Sequence, residues 1–515
     1  MKKIAFFLMM LMIPLATLLA EGDKRIMEGL SMTSVVLGQE VKYSVVLPPD
    51  YYKCRKVYPV VYLLHGLGDN ESSWLEYGRI AQVSDVFVAA KEIVPMIFVI
   101  PQGFRNYYVN DYAGTFLYED MFIKELVPFI DKTYRTVPDN LHRATMGYSM
   151  GGFGALMLPV RHLDVFSVSV PLSISVRTDE QYMVEDAAEW NDQWGRLFGG
   201  VGKAGTERIT DYYKQYSPFH YFNSGNAQSF SGLRLFIDNG DDEHTLCRSN
   251  EELHILLRDL QIQHEYRVRN GGHEFSYWRE ALPNALHFIS DSFEGKVYRG
   301  DVSHTTKKRK SPKVAIYENY WYAIALPPGY IDADRRYPVL YMFGDLTSTR
   351  KQELAGLAQQ GMLDGTFPSM LLVFLKENET NLIDSIIPEL ESYYNARSGY
   401  RFRALVGFEE GGVAALQNAL VPETFTSCVL FDAPIATELL NEAITANKSA
   451  FKRTWFLISN TDTDMDYETN GKAHMLLRDE DFYHEYRVVE GGRSVQVSND
   501  RLKEAFQFTS EKIHR

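Results

Sequence analysis

Cysteine is almost missing from this chain, with three in 515 residues: Cys54, Cys247 and Cys428. They show neither metal-knuckle spacing nor the even count of a disulfide framework, so no metal site is expected and each reads as a lone thiol. A Cys54–Cys247 bridge is the alternative. Basic excess is missing too: 53 Lys and Arg face 67 Asp and Glu, a formal charge of −14. That balance excludes the basic face a nucleic-acid partner requires. There is no low-complexity tract. With 45% hydrophobic and 13% aromatic residues, the composition fits two or three well-cored globular domains.

What is present begins at the N-terminus. Lys2 and Lys3 precede IAFFLMMLMIPLATLLA, which ends at Ala20 and gives way to polar EGDK. This is the order of a secretory signal, so residues 1–20 are expected to be removed from an exported, periplasmic or extracellular protein. An anchor helix is the competing reading, weakened by Pro14 and the shortness of the run. No stable membrane insertion is expected.

The rest of the chain says most things twice. YSVVLPPDY (43–51) is answered by YAIALPPGY (322–330), YPVVYLLHG (58–66) by YPVLYMFGD (337–345), and GYSMGGFGAL (147–156) by GFEEGGVAAL (407–416). HILLRD (254–259) returns as HMLLRD (474–479). HEYRVRNGGH (264–273) returns as HEYRVVEGGR (484–493), with seven of ten letters kept. The order is the same in both halves, which indicates duplication of a whole domain. Between them, RGDVSHTTKKRKSPK (299–313) reads as a polar linker. The expected boundaries are 25–297, a linker at 298–313, and 314–515. In each half, β-branched runs such as PVVYLL and MIFVIP alternate with helical patterns such as residues 118–135. That alternation predicts α/β domains with a mostly parallel sheet flanked by helices.

Gly147-Tyr148-Ser149-Met150-Gly151 matches G-x-S-x-G, with a strand-like RATMG before it and a helical GGFGALML after it. In that setting the glycines permit a sharp turn that lifts a serine hydroxyl above the sheet. Serine is a weak nucleophile until a base takes its proton, and the expected chain order is Ser, acid, His. His273, in GGHEFSYW, is placed for the base. The acid should follow the strand LRLFIDNG (233–240). Glu243 is favoured by its frame against the second half, where Asp464 is its counterpart, and Asp242 is the alternative. Oxyanion donors are expected from the amides of Met150, after the nucleophile, and Leu67, after His65-Gly66. His65 itself reads as a loop-shaping hydrogen bonder.

On the residues LPPDY, YLLHGLGDN, GYSMGGFGAL, the GDDE loop and GGHEFSYW, residues 30–295 resemble the esterase D-like α/β-hydrolases. That group includes the feruloyl and acetyl xylan esterases of carbohydrate esterase family 1. The family normally has Asp where this chain has Glu243. The resemblance implies ester hydrolysis through an acyl-enzyme, with no metal or organic cofactor, on acyl groups attached to plant polysaccharides or oligosaccharides. A siderophore (enterobactin-type) esterase and a general carboxylesterase are the alternatives within enzymes. A carbohydrate-binding pseudo-hydrolase is the alternative outside them.

Trp74, Tyr107, Tyr108 and Tyr112 are the aromatics expected to stack on substrate. The insertion EWNDQWGRLFGG (189–200) is expected to cap the site. In the second half Ser149 is replaced by Glu409, His273 by Arg493, and His65-Gly66 by Gly344-Asp345. That half is expected to be a tandem α/β-hydrolase domain without the chemistry. A Glu409–Arg493 ion pair is expected where the catalytic pair would be.

Overall fold

The computed structural model describes residues 24–298, 300–301, 314–331, 333–463, 465–491 and 497–513. The expected leader, almost all of the linker, Asp464 and Arg493 lie outside the described residues. Among those described, no helix is long and apolar enough to cross a membrane.

The chain divides into two compact units, Asp23–Lys307 and Lys308–Arg515. In the first, the strands are β1 (Ile26–Ser34), β2 (Gln39–Val46), β3 (Val60–Leu64), β4 (Ile97–Pro101), β5 (Arg143–Tyr148), β6 (Val168–Leu172), β7 (Arg234–Gly240) and β8 (Glu265–Arg269). Their order in the sheet is β1-β2-β4-β3-β5-β6-β7-β8. The pairs β1/β2 and β2/β4 are antiparallel and the others parallel.

Residue pattern explains the centre of this sheet. All five residues of β3 are buried, Val60, Tyr62 and Leu64 in one core cluster and Val61 and Leu63 in another. A strand with apolar residues on both faces needs cover on both, which helices provide in a parallel sheet. The expected helix at 118–135 is continuous through Tyr118–Met121, a wider π turn at Phe122–Leu126, and Val127–Thr133.

The second unit contains β9 (Ile316–Glu318), β10 (Tyr322–Ala325), the two-residue β11 (Ala333–Asp334), β12 (Val339–Phe343), β13 (Leu371–Leu375), β14 (Arg403–Phe408), β15 (Ser427–Phe431), β16 (Trp455–Thr461) and β17 (His484–Val489). Its sheet runs β9-β10-β13-β12-β14-β15-β16-β17, the order of the first sheet again, with the first two pairings antiparallel and the rest parallel. All three cysteines are free, Cys428 buried and the other two partly so.

Candidate active site

Ser149 stands between β5 and the helix Met150–Arg161 with φ 59° and ψ −121°. An L-residue held there stores about 1–3 kcal/mol, so neighbours must over-determine it. Its amide donates to Leu172 O (3.1 Å), and its carbonyl accepts from Phe153 N and Ser175 N, each at 3.0 Å. The flanking glycines are sterically required. A Cβ on Gly147 would lie 2.2 Å from Gly151 O, and one on Gly151 would lie 2.2 Å from Leu64 O.

His273 is carried on the loop after β8, its side chain 37% exposed. Its Nδ1 lies 2.9 Å from Oε2 of Glu243, whose carboxylate is fully buried. The other oxygen, Oε1, accepts from the Ser173 hydroxyl and from Gly240 N (2.8 Å). Ser173 Oγ in turn accepts from Trp278 Nε1 (2.7 Å). Asp242, the alternative acid, is exposed and contributes through its backbone, its amide donating to Gly271 O (3.0 Å). Asp241 Oδ1 accepts from Gly271 N (2.9 Å), so these two aspartates brace the His273 loop from its other side.

The expected oxyanion loop follows β3. His65 is fully buried: Gly103 N donates to its Nε2 (2.7 Å), which puts the proton on Nδ1, donating to Gly66 O (2.8 Å). Burial pushes this imidazole down to about 4, so it stays neutral and shapes the loop. Tyr148, just before the nucleophile, donates to Asp69 Oδ2 (2.5 Å) and ties the loop to the turn. Burial raises the Asp69 carboxyl, partly offset by that bond. Met150 is the first helical residue, so its amide has no acceptor within the helix. Among the described residues the Leu67 amide has no acceptor either. A Cβ built on Gly66 would sit 3.4 Å from Ser149 Cβ, so loop and turn are neighbours.

The His273 loop joins them through rings. Tyr148 stacks on Trp278 (4.2 Å), and Trp278 meets His273 edge-on (5.1 Å). The Ser149 hydroxyl makes no hydrogen bond among the described residues, and such bonds commonly close only when substrate binds.

The expected substrate aromatics require correction. Trp74, Tyr107 and Tyr108 are at most 2% exposed and have no free face. Trp74 donates to Leu64 O (3.0 Å) from the core, Tyr107 lies against Trp194 (4.5 Å), and the Tyr108 hydroxyl donates to His65 O (3.0 Å). Their large apolar area is spent on packing. Tyr112 is exposed, beside Tyr212 (5.4 Å). A partly exposed ring pair, Tyr77 and Phe275 (4.9 Å apart), meets Tyr148 through Phe275 (4.6 Å), and the motif reading passed over it. Ser173 was also missed, because PLSIS carries no motif.

The insertion is helical through Ala187–Glu189, Trp190–Gly195 and Arg196–Phe198. It packs on the 104–116 segment through Arg105–Asp192 (2.7 Å) and Tyr112 N to Leu197 O (2.8 Å).

The second unit repeats the turn without its serine. Glu409 has φ 48° and donates from its amide to Phe431 O (2.9 Å), as Ser149 does to Leu172 O. Where the first unit has Ser173, the second has Asp432, paired with Arg501 (3.0 Å). The expected Glu409–Arg493 pair rests on a residue outside those described.

Residues 34–289 match the family model described as putative esterase. The chain is 37% identical over 130 residues to an endo-1,4-beta-xylanase/feruloyl esterase of Xylanibacter ruminicola, covering 24% of this chain and 18% of that protein. It is 22% identical over 252 residues to an acetyl esterase of Caldicellulosiruptor saccharolyticus, covering 45% of this chain and 82% of that one. A solved ferulic acid esterase structure aligns at 31% identity and a TM-score of 0.44, over 51% of this chain and 97% of its own. The chain spans 18% to 32% of the length of the first curated relatives it matches.

Proposed function

Residues 34–289 belong to the esterase family, and from that premise we propose that the first unit is an exported serine hydrolase of carboxylic esters. Ser149 attacks the ester carbonyl while His273 takes its proton. The amides of Leu67 and Met150 receive the developing oxyanion, and His273 then protonates the leaving alcohol. Water repeats the cycle on the acyl-enzyme and releases the acid. Glu243 holds the Nδ1 proton of His273 and so leaves Nε2 to do the proton transfer. The observation that carries this reading is the His273–Glu243 contact at 2.9 Å, with His273 against the Trp278 ring that stacks on Tyr148, next to Ser149.

The substrate class we infer is feruloyl or acetyl esters on plant polysaccharides or oligosaccharides. It is supported by the names of the similar proteins, a feruloyl esterase and an acetyl esterase. The partly exposed Tyr77–Phe275 pair supplies an aromatic platform for a phenolic acyl group or a sugar. The second unit keeps the scaffold without the chemistry, since Glu409 offers no hydroxyl to acylate.

The test uses the protein lacking residues 1–20 with p-nitrophenyl acetate, methyl ferulate and acetylated xylan, and Ser149→Ala beside it. Acid release that disappears in Ser149→Ala is expected. Silence from a folded protein on all three esters would sink the proposal.

A further inference from the structure

We infer that Asp238 and Tyr277 are a positioning pair that fixes the loop carrying His273, a role that rests on the serine-esterase reading above. Asp238 lies within β7 with its side chain fully buried and accepts the Tyr277 hydroxyl. Its backbone carbonyl accepts from Ser173 N (2.8 Å), and Ser173 is the residue that holds Glu243. Tyr277 lies under the loop: Gly271 has φ 142°, and a Cβ there would meet the Tyr277 ring at 2.7 Å. The next residue on the same helix, Trp278, meets His273 edge-on. The Asp238 carboxylate therefore reaches the loop of the base through Tyr277 without touching His273, while its main-chain bond to Ser173 is one that Ser459 repeats to Asp432 (3.0 Å) in the second unit.

A buried carboxylate is an expensive way to fill space, and an apolar pair would pack as well. Burial pushes Asp238 up to about 6, against the opposing pull of Arg269 and the Tyr277 bond. The groups facing it are Tyr277 from the helix Phe275–Phe293, Arg269 (2.6 Å) and Arg267 from β8, and Asp301 beyond them.

The chain contains its own comparison. The second unit keeps the bracing bonds: Asp462 accepts from Gly491 N (3.0 Å) as Asp241 does from Gly271 N. Asn470 accepts from Ile435 N (3.2 Å) as Asn250 does from Ile174 N, and His474–His484 (2.7 Å) repeats His254–His264 (2.8 Å). Yet LFIDNG (235–240) aligns with FLISNT (456–461), and GGHEFSYW (271–278) with GGRSVQVS (491–498). Asp238 becomes Ser459 and Tyr277 becomes Val497. The pair is lost from the unit that lacks Ser149 and His273, and the same sheet order forms without it.

The test measures kcat, KM and the pH profile of kcat/KM for full-chain Tyr277→Phe and Asp238→Asn on p-nitrophenyl acetate and methyl ferulate. Tyr277→Phe keeps the ring beneath Gly271, so it decides alone if Asp238→Asn does not fold. A fall in kcat on the order of tenfold is expected from a misplaced base, with KM within about twofold. The pH profile of kcat/KM should change as well, because Tyr277 fixes the loop that holds the base against Glu243. A folded Tyr277→Phe with unchanged kcat and profile overturns the inference. So does a loss of activity that only tracks the unfolded fraction, with the profile unmoved. Ser149→Ala separates the claims: activity surviving there sinks the serine mechanism and the positioning role with it. An inactive Ser149→Ala beside a fully active Tyr277→Phe sinks the positioning role alone.

Discussion

Nδ1 of His273 stands 2.9 Å from Oε2 of Glu243, while Oε1 of the same carboxylate is occupied by Ser173 and Gly240 N. Both oxygens are committed, so the carboxylate cannot turn, and only an acceptor at Oε2 keeps the His273 proton on Nδ1. Glu243→Gln presents the wrong group to one partner or the other. We expect kcat on methyl ferulate to fall by up to about 10⁴, the loss seen when a triad Asp becomes Asn. Asp242→Asn, altering an exposed carboxylate, should stay within about twofold. Equal losses in the two variants would remove Glu243 from its role.

Ser173 serves two neighbours from one hydroxyl, donating to Glu243 and accepting from the Trp278 indole. Ser173→Ala strands the buried Trp278 N–H and leaves Oε1 of Glu243 held by Gly240 N alone. It should lower the unfolding free energy by about 1–3 kcal/mol, the cost of leaving a buried polar group unpaired. It should also lower kcat with little change in KM. Urea unfolding and steady-state kinetics on one preparation check both. An unfolding midpoint equal to the parent's would show that this bond network is not formed in solution.

Much of this arrangement was legible in the sequence, and the parts that were not share a cause. The Ser149 turn could be read because Gly147 and Gly151 are demanded by backbone contacts, and such demands leave fixed letters. Glu243 and Asp242 stayed alternatives because the frames counted from either side of the loop after β7 differ by one residue, and only the side-chain contact with His273 separates them. Trp74, Tyr107 and Tyr108 were misjudged because a ring is written with the same letter whether it packs a core or faces a ligand. Only burial separates the two, and burial depends on partners far along the chain, such as Trp194 for Tyr107. Ser173 left no trace, since its importance comes from a hydroxyl aimed at residues 70 and 105 positions away.

His65 makes the loop after β3 sensitive to acid. Burial holds its imidazole near 4, against an ordinary value of 6.5. The unfolded chain therefore takes a proton that the folded chain refuses. The stability is present above about pH 6.5 and is lost as pH falls toward 4. By linkage the loss at pH 4.5 is on the order of 2–3 kcal/mol. Urea unfolding of the parent and His65→Gln at pH 7.5 and pH 4.5 isolates the effect: the parent's advantage should shrink by that amount. An advantage that stays constant between the two pH values would mean that His65 is not kept neutral by burial.

In the second unit the position of the Glu243 anchor holds an ion pair. Asp432 Oδ1 accepts from Thr461 N (2.7 Å), the counterpart of Gly240, and Oδ2 pairs with Arg501, both side chains at most 10% exposed. Arg501 also donates to Ser459 O (2.7 Å) and lies over the Phe431 ring. The space beside that position is thus a site of internal attachment within the second unit. Asp432→Asn keeps the acceptor for Thr461 and tolerates φ 47° but leaves Arg501 buried and uncompensated. That should cost about 3 kcal/mol, because breaking one side of a buried pair strands the other charge. Replacing Arg501 with Met in the same chain should recover most of the loss. Amide hydrogen exchange in β15 and β16 reports it locally: protection should fall in the single variant and return in the double. Unchanged protection in Asp432→Asn would show that this pair does not hold the second unit together.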